Sequence, residues 1–359
     1  MAIWVFLLVF ALTFLNSSEK AFGQVYWKAK KDGSYSFSDN PTSSILKDEP
    51  DETSLPWKEV NEDLLRLSLP DKNWALEFPF KDFRVKERGI HPAFNGRRIL
   101  AQNDKTNVIF SAFLSPAQRQ FSNKDLRESA WKGLKTLPMK IEDVKRSEEG
   151  QWAFLEYMVK DAKGFEGLRQ KNIFAYRVNG DTWVDYHLSK VRYEPADEGL
   201  FRSFIKSVNL LENYLPSGMD NFQYGSFFYL KKNYGRAIVY YERALEQEKR
   251  NSTLHKNLGR VLIDNLGMAY GLTGNPEKSK RALEYGISND PTFPMYYYNL
   301  ACTFAELNDT KQAVQNLKTA GEYKNNMIPG EQRPDPFKDP SFRYLLKNKR
   351  FIEAAKAFR

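Results

Sequence analysis

Residues 222–247 read FQYGSFFYLKKNYGRAIVYYERALEQ, residues 264–289 read DNLGMAYGLTGNPEKSKRALEYGISN, and residues 298–323 read YNLACTFAELNDTKQAVQNLKTAGEY. The three stretches carry small, aromatic and aliphatic residues at the same offsets. The shared positions are Gly225, Phe228, Ala237, Tyr241 and Ala244; Gly267, Tyr270 and Leu283; and Ala301, Phe304, Ala313, Leu317 and Ala320. Gly267 and Ala301 are 34 residues apart, whereas Gly225 and Gly267 are 42 apart. One pattern therefore occurs three times, with a longer first junction.

This spacing predicts stacked pairs of antiparallel helices. Two helices approach closely where small residues lie at their crossing point, and larger residues at helical spacing fill the gaps between neighbouring pairs. Residues that end helices fall between the two helices of each predicted pair: Asn233 and Gly235, then Gly274 to Pro276, then Asn308 and Asp309. A single pair cannot bury its own apolar face. The sequence therefore predicts that the three pairs stack into one solenoid.

The pattern and its period resemble those of tetratricopeptide repeats, whose units have 34 residues. The resemblance implies an all-α array with a C-terminal capping helix over residues 214–359. The sequence PDPFKDPSF at 334–342 is similar to the ending of such arrays, in which an Asp-Pro-x-Phe turn starts a last helix that covers the open end. Asp339 before Pro340 is a suitable N-cap for that helix.

In tetratricopeptide repeat proteins the first helix of each repeat lines an inner groove, which implies a partner-binding surface at the matching positions. The matching groove positions are Met219, Phe222, Ser226, Tyr229 and Leu230; Val261, Asp264, Met268, Gly271 and Leu272; and Met295, Tyr298, Cys302, Ala305 and Glu306. The residues that we predict to bind a partner are Phe222, Ser226, Tyr229, Asp264, Met268, Met295 and Tyr298. Members that capture a terminal carboxylate use Lys, Asn and Arg in the groove, and the matching positions here have none of them. Aromatic and methionine side chains instead favour an apolar or amphipathic segment. The alternative is that these residues pack against the α/β domain or the closing helix.

Residues 72–213 carry a mixed pattern typical of an α+β domain. Alternating apolar residues predict strands over 74–78, 98–102, 108–114, 141–146, 151–160, 171–178 and 182–191. Helices are predicted over 123–137, with Ser122 or Asn123 as its cap, and over 198–208. Asn179-Gly180, between the last two strands, predicts a type I′ hairpin turn.

The order of these elements is similar to that of the α/β/α sandwich shared by photosystem II subunit P and Mog-type proteins. The resemblance is carried by Trp74 and Phe78, the hairpin at 179–183 and the closing helix at 201–208. It implies an antiparallel sheet between helical layers and a binding or assembly module, and it transfers no catalytic residues. The predicted fold class is thus α+β, an α/β/α sandwich followed by an all-α solenoid.

The N-terminal part predicts three short segments. Residues 1–23 combine a nearly unbroken apolar run with Ala21 and Gly23 before Gln24, which predicts a cleaved secretory signal peptide, with an uncleaved membrane anchor as the alternative. Residues 24–41 predict a β-hairpin around Asp32-Gly33, similar to a small hairpin domain of bacterial envelope proteins. Residues 42–71 predict a linker that contains one helix, at 57–67.

Little in the sequence points to catalysis or metal binding. The chain has three histidines and a single cysteine, Cys302, without metal-binding spacing, and it has neither G-x-S-x-G nor a phosphate-binding glycine loop. His187 alternates with strand residues and is predicted to be part of a strand face. The net charge is +9, but Lys and Arg are interleaved with Asp and Glu, which favours a solvated surface over a nucleic-acid interface. We predict no catalytic residue, metal or cofactor.

The sequence as a whole predicts an exported, non-catalytic adaptor or assembly factor, periplasmic or secreted, that holds a segment of a protein partner in its repeat groove. Membrane contact is predicted only through residues 1–23, if they remain attached. The alternatives are a purely structural envelope component, and a hydrolase or other enzyme with its site in the α/β domain and with repeats that recruit the substrate. Such an enzyme would have a polar cleft with clustered titratable groups in that domain.

Overall fold

The computed structural model describes residues 26–29, 35–38, 63–91, 95–117, 119–137, 139–162 and 167–359. The predicted signal peptide, the turn at Asp32-Gly33 and most of the predicted linker lie outside these residues. Strands β1 (Tyr26–Ala29) and β2 (Tyr35–Ser38) pair antiparallel, as the hairpin prediction requires. The rest of the described chain belongs to two compact units, which contain residues 63–214 and 215–359.

The first unit contains ten strands and two α-helices among the described residues. The strands are β3 (Leu64–Ser68), β4 (Trp74–Pro79), β5 (Phe83–Ile90), β6 (Arg97–Asn103), β7 (Ile109–Pro116), β8 (Met139–Glu149), β9 (Trp152–Ala162), β10 (Gln170–Asn179), β11 (Thr182–Lys190) and β12 (Asn209–Glu212). Seven of them form an antiparallel sheet in the order β5-β6-β7-β11-β10-β9-β8, and the other three form a small sheet in the order β12-β4-β3.

The two helices cover opposite faces of the large sheet. Helix α1 (Asn123–Leu134) begins at a capping box made by Ser122 and Asp125 and buries Leu134 beside Leu155 and Tyr157. Helix α2 (Glu198–Ser207) packs on the other face, where the rings of Phe204 and Phe110 lie 5.2 Å apart. The unit is therefore the predicted α/β/α sandwich.

The N-terminal boundary of the first unit differs from the prediction. Residues 64–68, which we assigned to a linker helix, form strand β3 and pair with β4. Leu65 and Leu67 are buried while Arg66 between them is half-buried, so this stretch follows the two-residue period of a strand. The short sequence LLRLS is compatible with the period of a helix and with that of a strand. It forms a strand because it pairs with β4. Strands β5 and β12 were not predicted either.

The hairpin between β10 and β11 uses a different turn from the predicted one. Asn179 pairs with Thr182, so the two loop residues are Gly180 and Asp181. Of these, Gly180 alone has a positive φ, of 59°. A type I′ turn requires positive φ at both positions, whereas a glycine at the first position alone fits type II′.

The second unit is all α-helical and consists of three antiparallel pairs and a last helix. The helices are α3 (Gly218–Leu230), α4 (Tyr234–Arg250), α5 (Lys256–Leu272), α6 (Pro276–Asn289), α7 (Pro294–Glu306), α8 (Thr310–Glu322) and α9 (Lys349–Phe358). Gly225 and Gly267 lie where the helices of the first two pairs cross. A Cβ atom at Gly225 would lie 2.4 Å from the ring of Tyr241, and one at Gly267 would lie 2.7 Å from Leu283.

The first helix of each pair ends in the same way. Lys232, Gly274 and Asn308 have φ angles of 57°, 74° and 60°. The next residue in each case donates its backbone N–H to a carbonyl oxygen five residues earlier, at 2.9 Å: Asn233 to Phe228, Asn275 to Tyr270 and Asp309 to Phe304. This is the hydrogen bond of the Schellman motif. The three helix ends are thus structurally equivalent, as the repeated sequence predicts.

The C-terminal helix starts later than predicted. Asp339 caps a 3₁₀-helix, Pro340–Leu345, by accepting a hydrogen bond from the backbone N–H of Ser341. Helix α9 begins at Lys349, and Asn348 is its N-cap. Pro340 therefore starts a separate short turn, and a long connection separates α8 from α9.

Candidate partner-binding site

The inner face of the array consists of the residues of α3, α5 and α7 at the groove positions. Two of the seven predicted partner-binding residues, Tyr229 and Met268, are half-buried. The other five are buried: Phe222, Ser226, Asp264, Met295 and Tyr298. The predicted residues therefore do not form one continuous open surface.

Tyr229 and Met268 form the accessible part of the inner face. The hydroxyl group of Tyr229 donates to the sulfur atom of Met268 at 3.4 Å, which joins α3 to α5. Leu272 lies one helical turn after Met268 and is 56% exposed. We call these three residues the open patch. Its aromatic, thioether and aliphatic groups suit an apolar segment.

Phe222 and Ser226 form part of the junction between α3 and α4. The Tyr241 hydroxyl donates to Ser226 Oγ at 3.1 Å and accepts a hydrogen bond from Asn265 Nδ2, also at 3.1 Å. The rings of Phe222 and Tyr241 lie 6.1 Å apart. These two predicted residues contact other helices of the array.

A segment of the chain itself covers the inner face of α7. We call residues 327–345 the strap. The Tyr298 hydroxyl donates to Asp339 Oδ2 at 2.8 Å, and Cys302 Sγ donates to the same oxygen at 3.6 Å. The Tyr344 hydroxyl donates to the carbonyl oxygen of Ala305 at 2.9 Å, and the Ser341 hydroxyl donates to Glu306. Tyr298, Cys302, Ala305 and Glu306 are all groove positions, so the strap lies where a partner segment is expected.

The closing helix also covers Tyr298. The Tyr298 ring stacks on Phe358 of α9 with 5.0 Å between centroids and meets Phe342 of the strap edge-on at 5.9 Å. Tyr298 is 2% exposed as a result. For this residue the structure matches the alternative that we stated, in which it packs against the closing helix.

One buried carboxyl group, Asp264, lies on the inner face, together with half-buried Glu331 and exposed Glu306. Asp264 is 6% exposed and accepts a hydrogen bond from Asn299 Nδ2 at 2.7 Å. Burial and, to a smaller extent, the charge of Glu331 in the strap raise the pKa of Asp264 to about 8, against the hydrogen bond from Asn299. Burial likewise raises the pKa of Glu331 to about 7 and raises the pKa of Glu306. Carboxyl groups from α5, α7 and the strap thus have a reduced tendency to ionise.

Arg260, near these acids on α5, has a different main partner. Its Nε donates to Asp290 Oδ2 at 2.8 Å. Burial opposes ionisation of Asp290, but hydrogen bonds from Arg260, Thr292 and Lys256 outweigh it and lower the Asp290 pKa to about 2. The charge of Arg260 also lowers the pKa of Glu331, but the hydrogen bond of its Nε goes to Asp290.

Two features of the first unit, a buried histidine and an apolar cleft, bear on the enzyme alternative. His187 is buried, stacks on Phe174 with 3.9 Å between ring centroids and lies 3.0 Å from Asn172 Oδ1. Burial lowers the pKa of His187 to about 3, so the imidazole is neutral at neutral pH. A cleft beside α2 is mostly apolar, with Phe83, Val108, Leu188, Phe201 and Phe204 among its lining residues. Within the described ranges, His, Cys, Asp and Glu form no group of three or more that suits a metal ion.

Three residues that interact with predicted site residues at the inner face were not predicted to do so: Asn299, Glu331 and Asp339. Asn299 lies next to Tyr298, and its partner Asp264 is on the preceding repeat, so the pairing of adjacent first helices was a usable signal. Glu331 and Asp339 come from the strap, whose position depends on tertiary contacts.

None of the helices in the part of the chain that the structure describes is long and apolar enough to cross a membrane.

Comparison with known proteins finds one family model and several solved structures of low similarity. The tetratricopeptide repeat family model matches residues 296–326. The Sgt2 tetratricopeptide repeat domain from Aspergillus fumigatus is 22% identical over 39% of this chain and 81% of that chain, with a TM-score of 0.29. PcrH in complex with the chaperone binding region of PopB is 14% identical over 39% and 93% of the two chains, with a TM-score of 0.28.

The solution structure of cyanobacterial PsbP (CyanoP) from Synechocystis sp. PCC 6803 is also similar. It is 14% identical over 42% of this chain and 94% of that chain, with a TM-score of 0.32. No curated protein matches the chain. The family match therefore shows a tetratricopeptide repeat at the third helical pair, in a helical region that follows an α+β domain.

Proposed function

We propose that this protein is a non-catalytic adaptor or assembly factor that holds an apolar or amphipathic segment of a protein partner on the inner face of its repeat array. One observation carries the proposal. Side chains of the strap contact four groove positions of α7. Three of these positions make the contact with a side chain, and Ala305 makes it with its backbone carbonyl oxygen. This surface therefore accommodates a short polypeptide segment, which here includes a 3₁₀-helix, and the open patch adds apolar groups beside it.

The proposed binding mode places the first contact at the open patch. Tyr229 and Met268 are half-buried, so a partner residue reaches them without unfolding the array. Burying apolar surface contributes about 25 cal/mol for each Å², which makes even a small patch a useful anchor. The acidic middle of the inner face and the strap lie further along the array.

The proposal is tested by purification of bound proteins from an envelope extract with the full chain as bait. Tyr229→Glu and Met268→Glu together should reduce recovery of the partner at least about tenfold, because a charge in an apolar contact costs more than about 1.4 kcal/mol. Val239→Glu is the control, since Val239 is exposed on α4, the second helix of its pair. The control should keep the wild-type urea midpoint, and circular dichroism should show that the double variant stays folded although it loses the contact between Tyr229 and Met268. Equal recovery from the double variant and the control would reject the proposal.

We also propose that the protein is exported and works in the envelope or outside the cell. The apolar run at 1–23 with a small-residue cleavage site supports this. Mass spectrometry of the protein isolated from its native cells should give Gln24 as the first residue. An intact N-terminus on cytoplasmic protein would contradict export.

A further inference from the structure

We propose that one end of the repeat array is a docking surface for an anionic lipid bilayer, on which the protein lies peripherally. This surface, which we call the basic end, contains the turns inside the three helical pairs and the segment before α9: residues 230–238, 272–280, 306–314 and 343–350. The inference goes beyond the proposed function and does not rest on it. It also differs from our sequence-based prediction, in which residues 1–23 alone contact a membrane.

The turns inside the three pairs lie at the same end of the array. The first helices α3, α5 and α7 are neighbours, because Tyr229 donates to Met268 and Asn299 donates to Asp264. The C-terminal ends of these helices are equivalent, with a positive φ and the same hydrogen bond at each. The three turns that follow them therefore lie side by side.

The segment before α9 lies at this end as well. The Tyr344 hydroxyl donates to the carbonyl oxygen of Ala305, next to the last residue of α7. Helix α9 ends at the opposite end of the array, since a Cβ atom at Gly321, near the end of α8, would lie 3.2 Å from the backbone nitrogen of Phe358. Helix α9 therefore begins towards the basic end.

The basic end has a strong excess of positive charge. It contains ten Lys or Arg and three Asp or Glu, whereas the whole chain has 54 and 45. All ten cations are exposed except Lys280, which is half-buried. Leaving Lys231 aside, none of them forms a salt bridge within the part of the chain that the structure describes. Arg236, Lys278 and Lys280 lie over aromatic rings, which do not cancel a positive charge.

Several of these cations occupy helix positions that favour the opposite charge. The helix dipole stabilises anions and disfavours cations in a first turn. Four helices nevertheless have a cation there: Arg236 in α4, Lys278 in α6, Lys311 in α8 and Lys349 in α9. Helices α4, α8 and α9 have no acidic residue in that turn, although Asp309 caps α8. Helix stability does not explain these cations, whereas an anionic ligand does.

Exposed apolar side chains lie among the cations. The described chain has eight large apolar residues that are exposed, and four of them lie at the basic end: Leu230, Leu272, Tyr344 and Leu346. Leu230 directly precedes two lysines, and Lys347 directly follows Leu346. At a bilayer surface, apolar groups enter the boundary of the acyl chains while Lys and Arg remain beside the anionic headgroups. The combination of side chains therefore suits an anionic bilayer.

The position of the cations favours a flat ligand over a polypeptide segment in the groove. The groove positions belong to the first helices, whereas Arg236, Lys278 and Lys311 belong to the second helices. A segment on the inner face would not reach the cations of the second helices. A planar surface at the basic end would contact the ends of the first helices, the turns and the starts of the second helices together.

The test is flotation of the full chain with vesicles made of phosphatidylglycerol and phosphatidylcholine in equal parts, and with vesicles of phosphatidylcholine alone. The chain should bind the anionic vesicles at least about tenfold more tightly, and raising NaCl from about 0.05 M to about 0.5 M should remove the difference. The triple variant Lys278→Glu, Lys311→Glu and Lys347→Glu should bind the anionic vesicles at least about 100-fold more weakly, since each cation near such a surface contributes roughly fivefold. It should stay folded, because glutamate is favoured in the first turns of α6 and α8.

A matched control separates the basic end from the net charge of the chain. The control is a second triple variant at exposed lysines outside the basic end, with the same change in net charge: Lys124→Glu, Lys145→Glu and Lys318→Glu. It should weaken binding to the anionic vesicles less than about threefold. The apolar contribution is tested by Leu230→Ser with Leu346→Ser, which should weaken binding at least about fivefold while the salt dependence remains.

Three outcomes would overturn the inference. The first is equal binding to both kinds of vesicle, and the second is an equal loss in the two triple variants, which would make net charge alone the cause. The third is binding to polyglutamate in solution without binding to the vesicles, which would assign the basic end to an acidic polypeptide. All of these variants keep Tyr229 and Met268, so recovery of a protein partner tests the proposed function separately.

Discussion

Replacing Gly225 with alanine should destabilise the repeat array by about 3 kcal/mol, at the upper end of the usual cost of overpacking. The added Cβ atom would lie 2.4 to 2.9 Å from three ring carbons of Tyr241. The Tyr241 ring is fully buried and its hydroxyl is bonded to Ser226 and Asn265, so it has no space to move aside. Gly267→Ala should cost less, because the end of the Leu283 side chain is more adaptable.

The measurement is urea unfolding followed by circular dichroism, and α5 offers a matched control. Gly259 lies in the same helix as Gly267, and a Cβ atom added there meets nothing within 4 Å. Gly259→Ala should therefore stabilise the chain by about 0.5 to 1 kcal/mol, which is the helix-propensity difference. If Gly225→Ala were stabilising to a similar degree, the close crossing of α3 and α4 would be wrong.

Replacing Asp264 with asparagine should stabilise the protein at about pH 8 by about 2 kcal/mol or more, since each unit of pKa shift corresponds to about 1.4 kcal/mol. Asparagine keeps an oxygen that accepts the hydrogen bond from Asn299 and has no charge to bury. The pKa of Asp264 is about 8 in the folded protein and 3.8 ordinarily. Its favourable contribution is complete below about pH 4 and is lost as pH rises towards about 8. The gain from Asp264→Asn should therefore grow over that range.

The control for this pH dependence is Asp290, whose shift has the opposite sign. The Asp290 pKa is about 2, below its ordinary 3.8, so this group stabilises the fold above about pH 4 and the effect is lost as pH falls towards 2. Asp290→Asn should thus destabilise the protein at neutral pH. Thermal unfolding of both variants at several pH values checks the two signs together. A loss of stability in Asp264→Asn at about pH 8 would contradict the buried, protonated state of Asp264.

The repeat architecture was predictable because its causes are local and recur. Gly225 and Gly267 mark the helix crossings, and the residues before Asn233, Asn275 and Asp309 end each first helix with a positive φ. These signals depend on residue type and spacing alone. The strands with clear alternation in the α+β domain were predictable for the same reason.

The errors occurred where tertiary contacts decide between local options. Residues 64–68 fit a helix or a strand, and pairing with β4 makes them a strand. The turn after β10 depends on the pairing of Asn179 with Thr182, which moves the loop by one residue. The start of α9 was misplaced because Asp339 and Asn348 are both acceptable caps.

The candidate site was predictable only in part. The strap covers groove positions of α7, while partner binding at these positions stays a prediction. The groove positions did not predict how much of the inner face is accessible. Tyr298 is buried by α9 and the strap, whose contacts join residues about 40 positions apart in sequence, such as Tyr298 and Asp339. The spacing of apolar residues in the sequence does not predict such contacts.

The most direct test of this account is a cross-link between the strap and the inner face. Cys302 is the only cysteine, and its sulfur lies 3.6 Å from Asp339 Oδ2. Under mild oxidation, Asp339→Cys should form an intramolecular disulfide with Cys302, since the side chain at position 339 contacts the Cys302 sulfur. Lys338→Cys, at the exposed neighbouring position, is the control. Thiol titration and mass spectrometry should show no free thiol in oxidised Asp339→Cys and two in Lys338→Cys. Two free thiols in both variants would mean that the strap does not lie on the inner face.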